Sequence, residues 1–279
     1  MQAKRIVAAD SSANLLRAEG VDFASVPLKI QAGEREYVDD AALDVAGMLA
    51  ELREYKGKSG TACPGVGDWL EAFGEADEVL GIAITSHLSG CYNSARLAAE
   101  EYTEQHPDRK VFILDSLSTG PEMELLVEKA CELTREGADF EQASEALRQY
   151  SQRTHLVFSL ESLVNFARNG RVSPALAAAA SLLGIRIVGR ASREGELEPL
   201  HKCRGEKRAI RQLWDCMLGL GYSGGKVRIR HSENPDAAQR MAEEIRSAYP
   251  GAEIHIGPNR GLCSFYAEKG GVLVGFEGN

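Results

Sequence analysis

The sequence predicts an α/β fold of two lobes with largely parallel sheets and crossover helices, and three observations carry that expectation. Short strand-like runs, most of them rich in β-branched residues, alternate with amphipathic helical runs along the chain. The 279 residues are long for one compact core and comfortable for two lobes, with room for an internal cavity. Loops rich in Ser, Gly and Asp follow directly on apolar strands, and open α/β sheets place ligands at such strand ends.

The strand candidates are residues 5–9, 22–27, 79–85, 111–115, 155–160, 185–188, 227–231, 253–256 and 272–276. The helical runs are 43–55, 68–73, 93–102, 123–135, 140–150, 206–218 and 236–248. Asn234-Pro235 marks a helix start, a cap residue followed by proline at the first helical position. Asn169-Gly170 marks a turn. The domain boundary is expected near 150–154, giving an N-terminal lobe of residues 1–153 and a C-terminal lobe of 154–279.

Composition narrows the function classes. Apolar residues make up 44% and charged residues 26%, the balance of an ordinary globular chain. A net charge of −9 argues against nucleic acid as a partner, because binding a polyanion needs an excess of Lys and Arg. The opening MQAKRIVAADSS lacks the apolar run of a secretory signal, and no apolar stretch reaches the roughly 18 residues of a membrane span. The six cysteines are widely and irregularly spaced, without a Cys-x-x-Cys pair. They read as reduced thiols of a cytoplasmic protein and not as a disulfide framework or a zinc site.

Five stretches have the residue types of a binding site. In ITSHLSGCYNSARLAAEEY, from Ile84, an apolar strand opens into a helix through Ser86, Ser89 and Gly90. Free N–H groups and the positive end of a helix dipole suit an anion there, although a serine that simply caps the helix is the commoner case. In KSGTACPGVGDWLEAF, from Lys58, Thr61 precedes a Pro-Gly turn; alone it reads as a turn residue. VFILDSLSTG and the opening DSSANL each end a strand in Asp and Ser, which serve equally as helix caps. In SLVNFARNGRVSPALAAAASLLGI, Arg168 and Arg171 flank the Asn-Gly turn, and the small residues after Pro174 suit tight helix packing or a slim ligand. Finally, residues 186–211 hold eight Arg and Lys against four Glu in an otherwise acidic chain, which suits either an anionic partner surface or a solvated helix face.

Taken in order, these stretches resemble the DegV family over nearly the whole chain. The resemblance rests on DSSANL, on VPLKI with Asp39-Asp40, on Gly60-Thr61 with Pro64, and on SHLSGCYNSA, LDSLSTG, FARNGRVS and EGELEPLHKCRGEKRAI. It implies two α/β lobes, each with a mostly parallel or mixed sheet flanked by helices, and a long-chain fatty acid buried in the cleft between them. No cofactor or metal is implied. It further implies a lipid carrier that presents the acid to a separate ATP-binding fatty acid kinase subunit. Thr61 and Ser89 correspond to the family's carboxylate-binding hydroxyls, with Ser86 and Gly90 as loop contributors. Cys91 and Cys263 stand where the family usually has a hydroxyl residue and a histidine, and Ala62-Cys63 replaces its usual Ser-Gln. With Arg171, Arg204 and Arg208, Cys91 and Cys263 are expected at the cleft or at a partner contact, and the basic segment is expected to meet an anionic membrane surface transiently. The rival reading is a serine hydrolase or acyltransferase using Ser89, with His87 two residues away. The sequence has no Gly-x-Ser-x-Gly elbow to support it, and no P-loop or dinucleotide fingerprint to suggest a nucleotide enzyme.

Overall fold

A computed structural model describes residues 3–180 and 184–278. In chain order the first half contains β1 (Arg5–Asp10), β2 (Asp22–Val26), β3 (Lys29–Ala32), β4 (Arg35–Val38), α1 (Val45–Glu54), β5 (Ser59–Ala62), α2 (Val66–Phe73), β6 (Glu78–Ala83), α3 (Cys91–Gln105), β7 (Lys110–Asp115), α4 (Pro121–Arg135) and α5 (Phe140–Ser151). The second half contains β8 (Thr154–Leu160), α6 (Val164–Arg168), α7 (Pro174–Ala180), β9 (Ile185–Ala191), β10 (Leu197–Arg204), α8 (Glu206–Gly219), β11 (Val227–His231), α9 (Pro235–Ala248), β12 (Ile254–Pro258), α10 (Gly261–Ala267) and β13 (Val272–Glu277).

The first sheet runs β2-β1-β6-β7 and is wholly parallel, as strand–helix alternation leads one to expect. The second runs β10-β9-β8-β13-β11-β12 and is mixed, with β11–β12 as its one parallel pair. It departs from the largely parallel expectation because β9 and β10 form a hairpin and β13 inserts between β8 and β11. A small antiparallel sheet, β4-β3-β5, was absent from the predicted strands. Its members are four residues each, too short for a periodicity to register. Asn234 does cap α9, accepting the Ala237 N–H at 3.4 Å. Part of the small-residue run after Pro174, residues 181–183, lies outside the described residues.

Helix α4 joins the two large sheets. Its apolar face, with Met123, Leu126 and Val127, belongs to the core of the parallel sheet. Its N-terminus lies on β13, where a Cβ on Gly275 would come within 2.3 Å of the Pro121 carbonyl carbon, so only glycine permits that approach. Glu124 and Glu128, one turn apart, face Arg230 and Arg228, two residues apart on β11. Arg228 grips Glu128 through Nε at 2.7 Å and Nη2 at 2.6 Å, and Nη2 also reaches Glu253 at 2.6 Å. Arg230 grips Glu124 in the same two-pronged way, with Nε at 2.8 Å. Val227 and Ile229 point to the opposite face, into the second core.

Glu122, on the same helix, is buried without a cation. Burial pushes its carboxyl up to about 7, although Thr154 donates to it at 2.9 Å. A folded pKa above the ordinary 4.5 means that the native state holds this proton more tightly than the unfolded chain. The associated stability is therefore complete below about pH 4.5, falls as pH rises towards 7, and is flat above that. The difference between 4.5 and about 7 corresponds to about 3 kcal/mol. Glu122→Gln is expected to gain about that much stability relative to the wild type between pH 4.5 and 8. Urea unfolding of both proteins at the two pH values measures it; a difference independent of pH would contradict the assignment.

Candidate ligand cavity and head-group loops

A cavity of about 310 Å³ lies between the two large sheets, within the size range of small-molecule sites. One wall is β8. In HLVFSL, Leu156, Phe158 and Leu160 share the cavity face while Val157 points into the opposite core, the period-two arrangement of a strand covered on both sides. Leu273 of β13, Phe166 of α6 and Leu197 of β10 extend the apolar lining. Leu28, Ile84 and Leu262 close it from the other lobe.

The polar end is built on loops that leave the first lobe's strands. Asp10 ends β1, fully buried, and organises them. It accepts the Ser12 N–H at 3.0 Å, the Ser12 hydroxyl at 2.5 Å, the Ile84 N–H at 2.6 Å and the Cys91 thiol at 3.3 Å. Burial raises its pKa, and these donors oppose the rise. The Ile84–Gly90 loop then leads into α3, with Gly90 at the N-cap and the Ser89 hydroxyl accepting the Cys91 N–H at 3.2 Å. Such a helix start leaves first-turn N–H groups and a positive dipole end for an anion.

Thr61, Ser89, Gly90, Arg171 and Cys263 all line the cavity. The Thr61 hydroxyl bonds to the Tyr266 hydroxyl at 2.8 Å. Arg171 donates through Nε to the Leu88 carbonyl at 3.2 Å and through Nη1 to the Asn169 carbonyl at 2.5 Å. No carboxylate pairs with it among the described residues, which leaves a positive charge at the cavity wall. The Asn169 side-chain amide holds the Ser59 carbonyl at 3.5 Å, so the turn carrying Arg171 is tied to the strand carrying Thr61.

Four of the expected site residues do not line the cavity. Ser86 is exposed and gives its N–H to Asp115 at 3.2 Å, so its hydroxyl is not part of the lining. Cys91 lies behind the loop with its thiol on Asp10, and burial raises that thiol well above its usual value. Arg204 and Arg208 are exposed and do not line the cavity. Cys263 does line it; burial pushes its thiol up to about 12, and it is therefore a neutral wall residue.

Residues missed at the sequence level include Tyr266, Thr85 and Gly195. Tyr266 sits on α10, a helix absent from the prediction. Its start is held by Asp39, which accepts the Gly261 and Leu262 N–H groups at 3.0 and 2.9 Å from more than 200 residues away. The face parity of HLVFSL was readable and would have identified the β8 wall. The serine-nucleophile reading finds no assembled triad among the described residues: Asp115 accepts the Ser86 and Leu117 N–H groups, and His87 is exposed. No helix among the described residues is long and apolar enough to cross a membrane.

Cys63 is the exposed thiol of the six and lies at the cavity wall beside Gly90, whereas Cys91, Cys131, Cys203 and Cys263 are buried. Maleimide is expected to label Cys63 first in the native protein, and those four only on unfolding. Peptide mass spectrometry after timed labelling checks the order; early labelling of Cys263 would contradict its burial.

The sequence profile of a family described as "Uncharacterised protein, DegV family" matches residues 4–278. A DegV domain-containing protein of Streptococcus pneumoniae is 43% identical over 255 residues, covering 91% of each chain. Among solved structures, a DegV family protein of Eubacterium eligens loaded with heptadecanoic acid superimposes with a TM-score of 0.96. It is 43% identical, with 99% of this chain and 100% of that one covered. The Fatty Acid Kinase (Fak) B3 protein of Streptococcus pneumoniae, loaded with linoleic acid, also gives 0.96 at 41% identity, with the same coverage.

Proposed function

Because the chain belongs to the DegV family, we propose that it is a carrier of long-chain fatty acids that buries the acyl tail in the cavity between its sheets and holds the carboxylate at the Thr61–Ser89–Arg171 end. The observation that carries this reading is an apolar cavity ending in two hydroxyls, a helix start and a guanidinium with no carboxylate partner among the described residues. Two relatives of near-identical fold hold heptadecanoic and linoleic acids. The lobes are taken as residues 1–153 and 154–279. Their hydrophobic clusters support this division, with α10 crossing back so that Leu262 joins the first core and Phe265 packs on Ile30 and Met48.

Burying about 14 methylenes at about 0.8 kcal/mol each yields on the order of 11 kcal/mol. Association costs roughly 4–15 kcal/mol, so the tail supplies affinity and the head group orientation. Similarity to the kinase B3 protein supports a further step, presentation of the carboxylate to a separate ATP-binding kinase subunit in the cytoplasm. Lys202, Arg204, Lys207 and Arg208 are exposed and have no carboxylate partner among the described residues. They form the surface on which an anionic membrane or an acidic partner would dock.

Protein purified from bacteria is expected to retain a long-chain fatty acid detectable by native mass spectrometry; empty protein that also refuses added palmitate and oleate would refute the reading. Thr61→Ala and Ser89→Ala each remove a hydroxyl donor to a charged acceptor, about 1.5–3 kcal/mol. Each should weaken binding roughly ten- to hundredfold with the fold intact. Unchanged affinity in the double variant would place the carboxylate elsewhere. For the basic surface, Arg204→Glu with Arg208→Glu should slow transfer to phosphatidylglycerol vesicles, and salt should slow the wild type likewise. Transfer rates indifferent to both would leave these side chains without a docking role.

A further inference from the structure

Strand β9 pairs with β8 only as far as Arg190, opposite Val157, while the β9–β10 hairpin continues beyond that point. Residues 191–197 therefore overhang the second sheet. The overhang is self-contained: the Ser192 N–H bonds to the Glu196 carbonyl at 2.9 Å, the Gly195 N–H to the Ser192 carbonyl at 3.0 Å, and the Ser192 hydroxyl accepts the Glu194 and Glu196 N–H groups at 3.2 Å. At its base the Arg190–Glu198 ion pair spans the two strands at 2.6 Å, and β10 shifts register between Pro199 and His201. An irregularity of this kind bends a strand and loosens its pairing locally.

This tip forms part of the cavity wall through Ala191, Gly195, Glu196 and Leu197. It meets the other lobe at Thr85 and Leu117. There the Thr85 hydroxyl donates to the Gly195 carbonyl at 2.9 Å, a buried hydrogen bond and the one that ties the tip to the first lobe among the described residues. The fit is close. Gly195 has φ +84°, and a Cβ on it would lie 2.2 Å from Thr85 Oγ1 and 3.0 Å from Leu117 Cα. Leu117 itself has φ +51°, uncommon for a leucine. The contact thus joins a glycine that cannot be replaced without strain to a strained loop. The other side of the molecule is held by two bidentate buried ion pairs and the Gly275 contact.

We propose that residues 191–197 are the movable wall of the acyl cavity and that the Thr85–Gly195 hydrogen bond is its latch. The tip swings as a unit on its base, while the α4–β11 joint stays fixed. Opening breaks that buried hydrogen bond, lifts Ala191 and Leu197 off the apolar cluster of Leu156, Phe158 and Leu160, and exposes the cavity along them. Thr85 is a positioning residue in this device: it holds the wall in place and need not touch the ligand's carboxylate. The inference rests on the fatty-acid reading for its cargo, and the geometry of the tip is independent of it.

The test is release of radiolabelled palmitate from loaded protein to excess albumin, for the wild type, Thr85→Val and Thr85→Ser. Valine keeps the shape and removes the donor, leaving the Gly195 carbonyl buried and unpaired. Release should accelerate at least tenfold in Thr85→Val and stay within about threefold of the wild type in Thr85→Ser, which retains the hydroxyl. A second measurement needs no variant. Hydrogen exchange of the empty wild type should be faster at residues 194–196 than in α4 and β11, and bound palmitate should slow it there most. Wild-type release from Thr85→Val, or tip amides as protected as β11 in the empty protein, would overturn the latch while leaving the fatty-acid reading standing. A wild type that takes up no palmitate overturns both.

Discussion

The arrangement of this molecule depends on α4 and the four charges between it and β11. Two carboxylates one helical turn apart meet two guanidiniums two strand residues apart, and neither spacing can be shifted without losing both pairs. Arg228 and Glu124 are almost fully buried; Glu124 would be an uncompensated charge if Arg230 moved away, and Arg228 would be left with Glu253 alone if Glu128 did. Removing one partner of a buried pair costs about 3–5 kcal/mol, whereas the intact pair adds little net stability over an apolar replacement. Their consequence is geometric. They fix the angle and register at which the mixed sheet stands against the parallel one, and Gly275 lets the helix come close enough for the pairs to form.

Once that joint is fixed, the cavity follows. Strands β8 and β13 sit in the middle of a sheet covered on one face by α8 and α9 and turned on the other towards the first lobe. Their side chains alternate between a packed core and the cavity, so Val157 and Val274 stabilise the sheet while Leu156, Phe158 and Leu273 line the cavity. The polar end is shared: the loops at the carboxyl ends of β1, β6 and β7 converge there from the opposite lobe, and Arg171 and Tyr266 join them from the second. Stability and binding are thereby carried on opposite faces of the same strands. This is why an apolar cavity can be built here without a dedicated domain.

Much of this was legible in the sequence, and the limits have physical causes. The β1 and β6 runs announce themselves as continuous apolar stretches buried on both faces, and the long amphipathic helices because each buries a face wide enough to set a period. Thr61, Ser89 and Gly90 were readable through the order of the motifs around them, and all three line the cavity. Sequence separation hid the rest. Helix α10 is seven residues long and capped by Asp39 from the other end of the chain, so no local signal precedes it, and Tyr266 went unseen with it. Ser86 looked equivalent to Ser89 in the string SHLSG, yet it is exposed, with its backbone N–H on Asp115, and does not line the cavity. Thr85, one residue earlier, carried no signal at all, because its partner is a backbone carbonyl 110 residues away.

The two cysteines that depart from the family's usual residues illustrate how differently a substitution reads once its neighbours are known. Cys91 keeps a donor on Asp10: a thiol at 3.3 Å does there, more weakly, what a hydroxyl would do, so the loop that presents Ser89 retains its anchor. Cys263 has the opposite effect. An imidazole can carry charge near neutral pH, whereas this thiol, held at about 12 by burial, cannot. Its sulfur contacts the Ser12 carbonyl at 3.4 Å and faces the cavity as a small apolar group. Arg171 is then the cationic side chain on the cavity wall, among the described residues. Its guanidinium is held by two backbone carbonyls and not by a carboxylate, so an incoming acid meets a charge that is positioned and unneutralised.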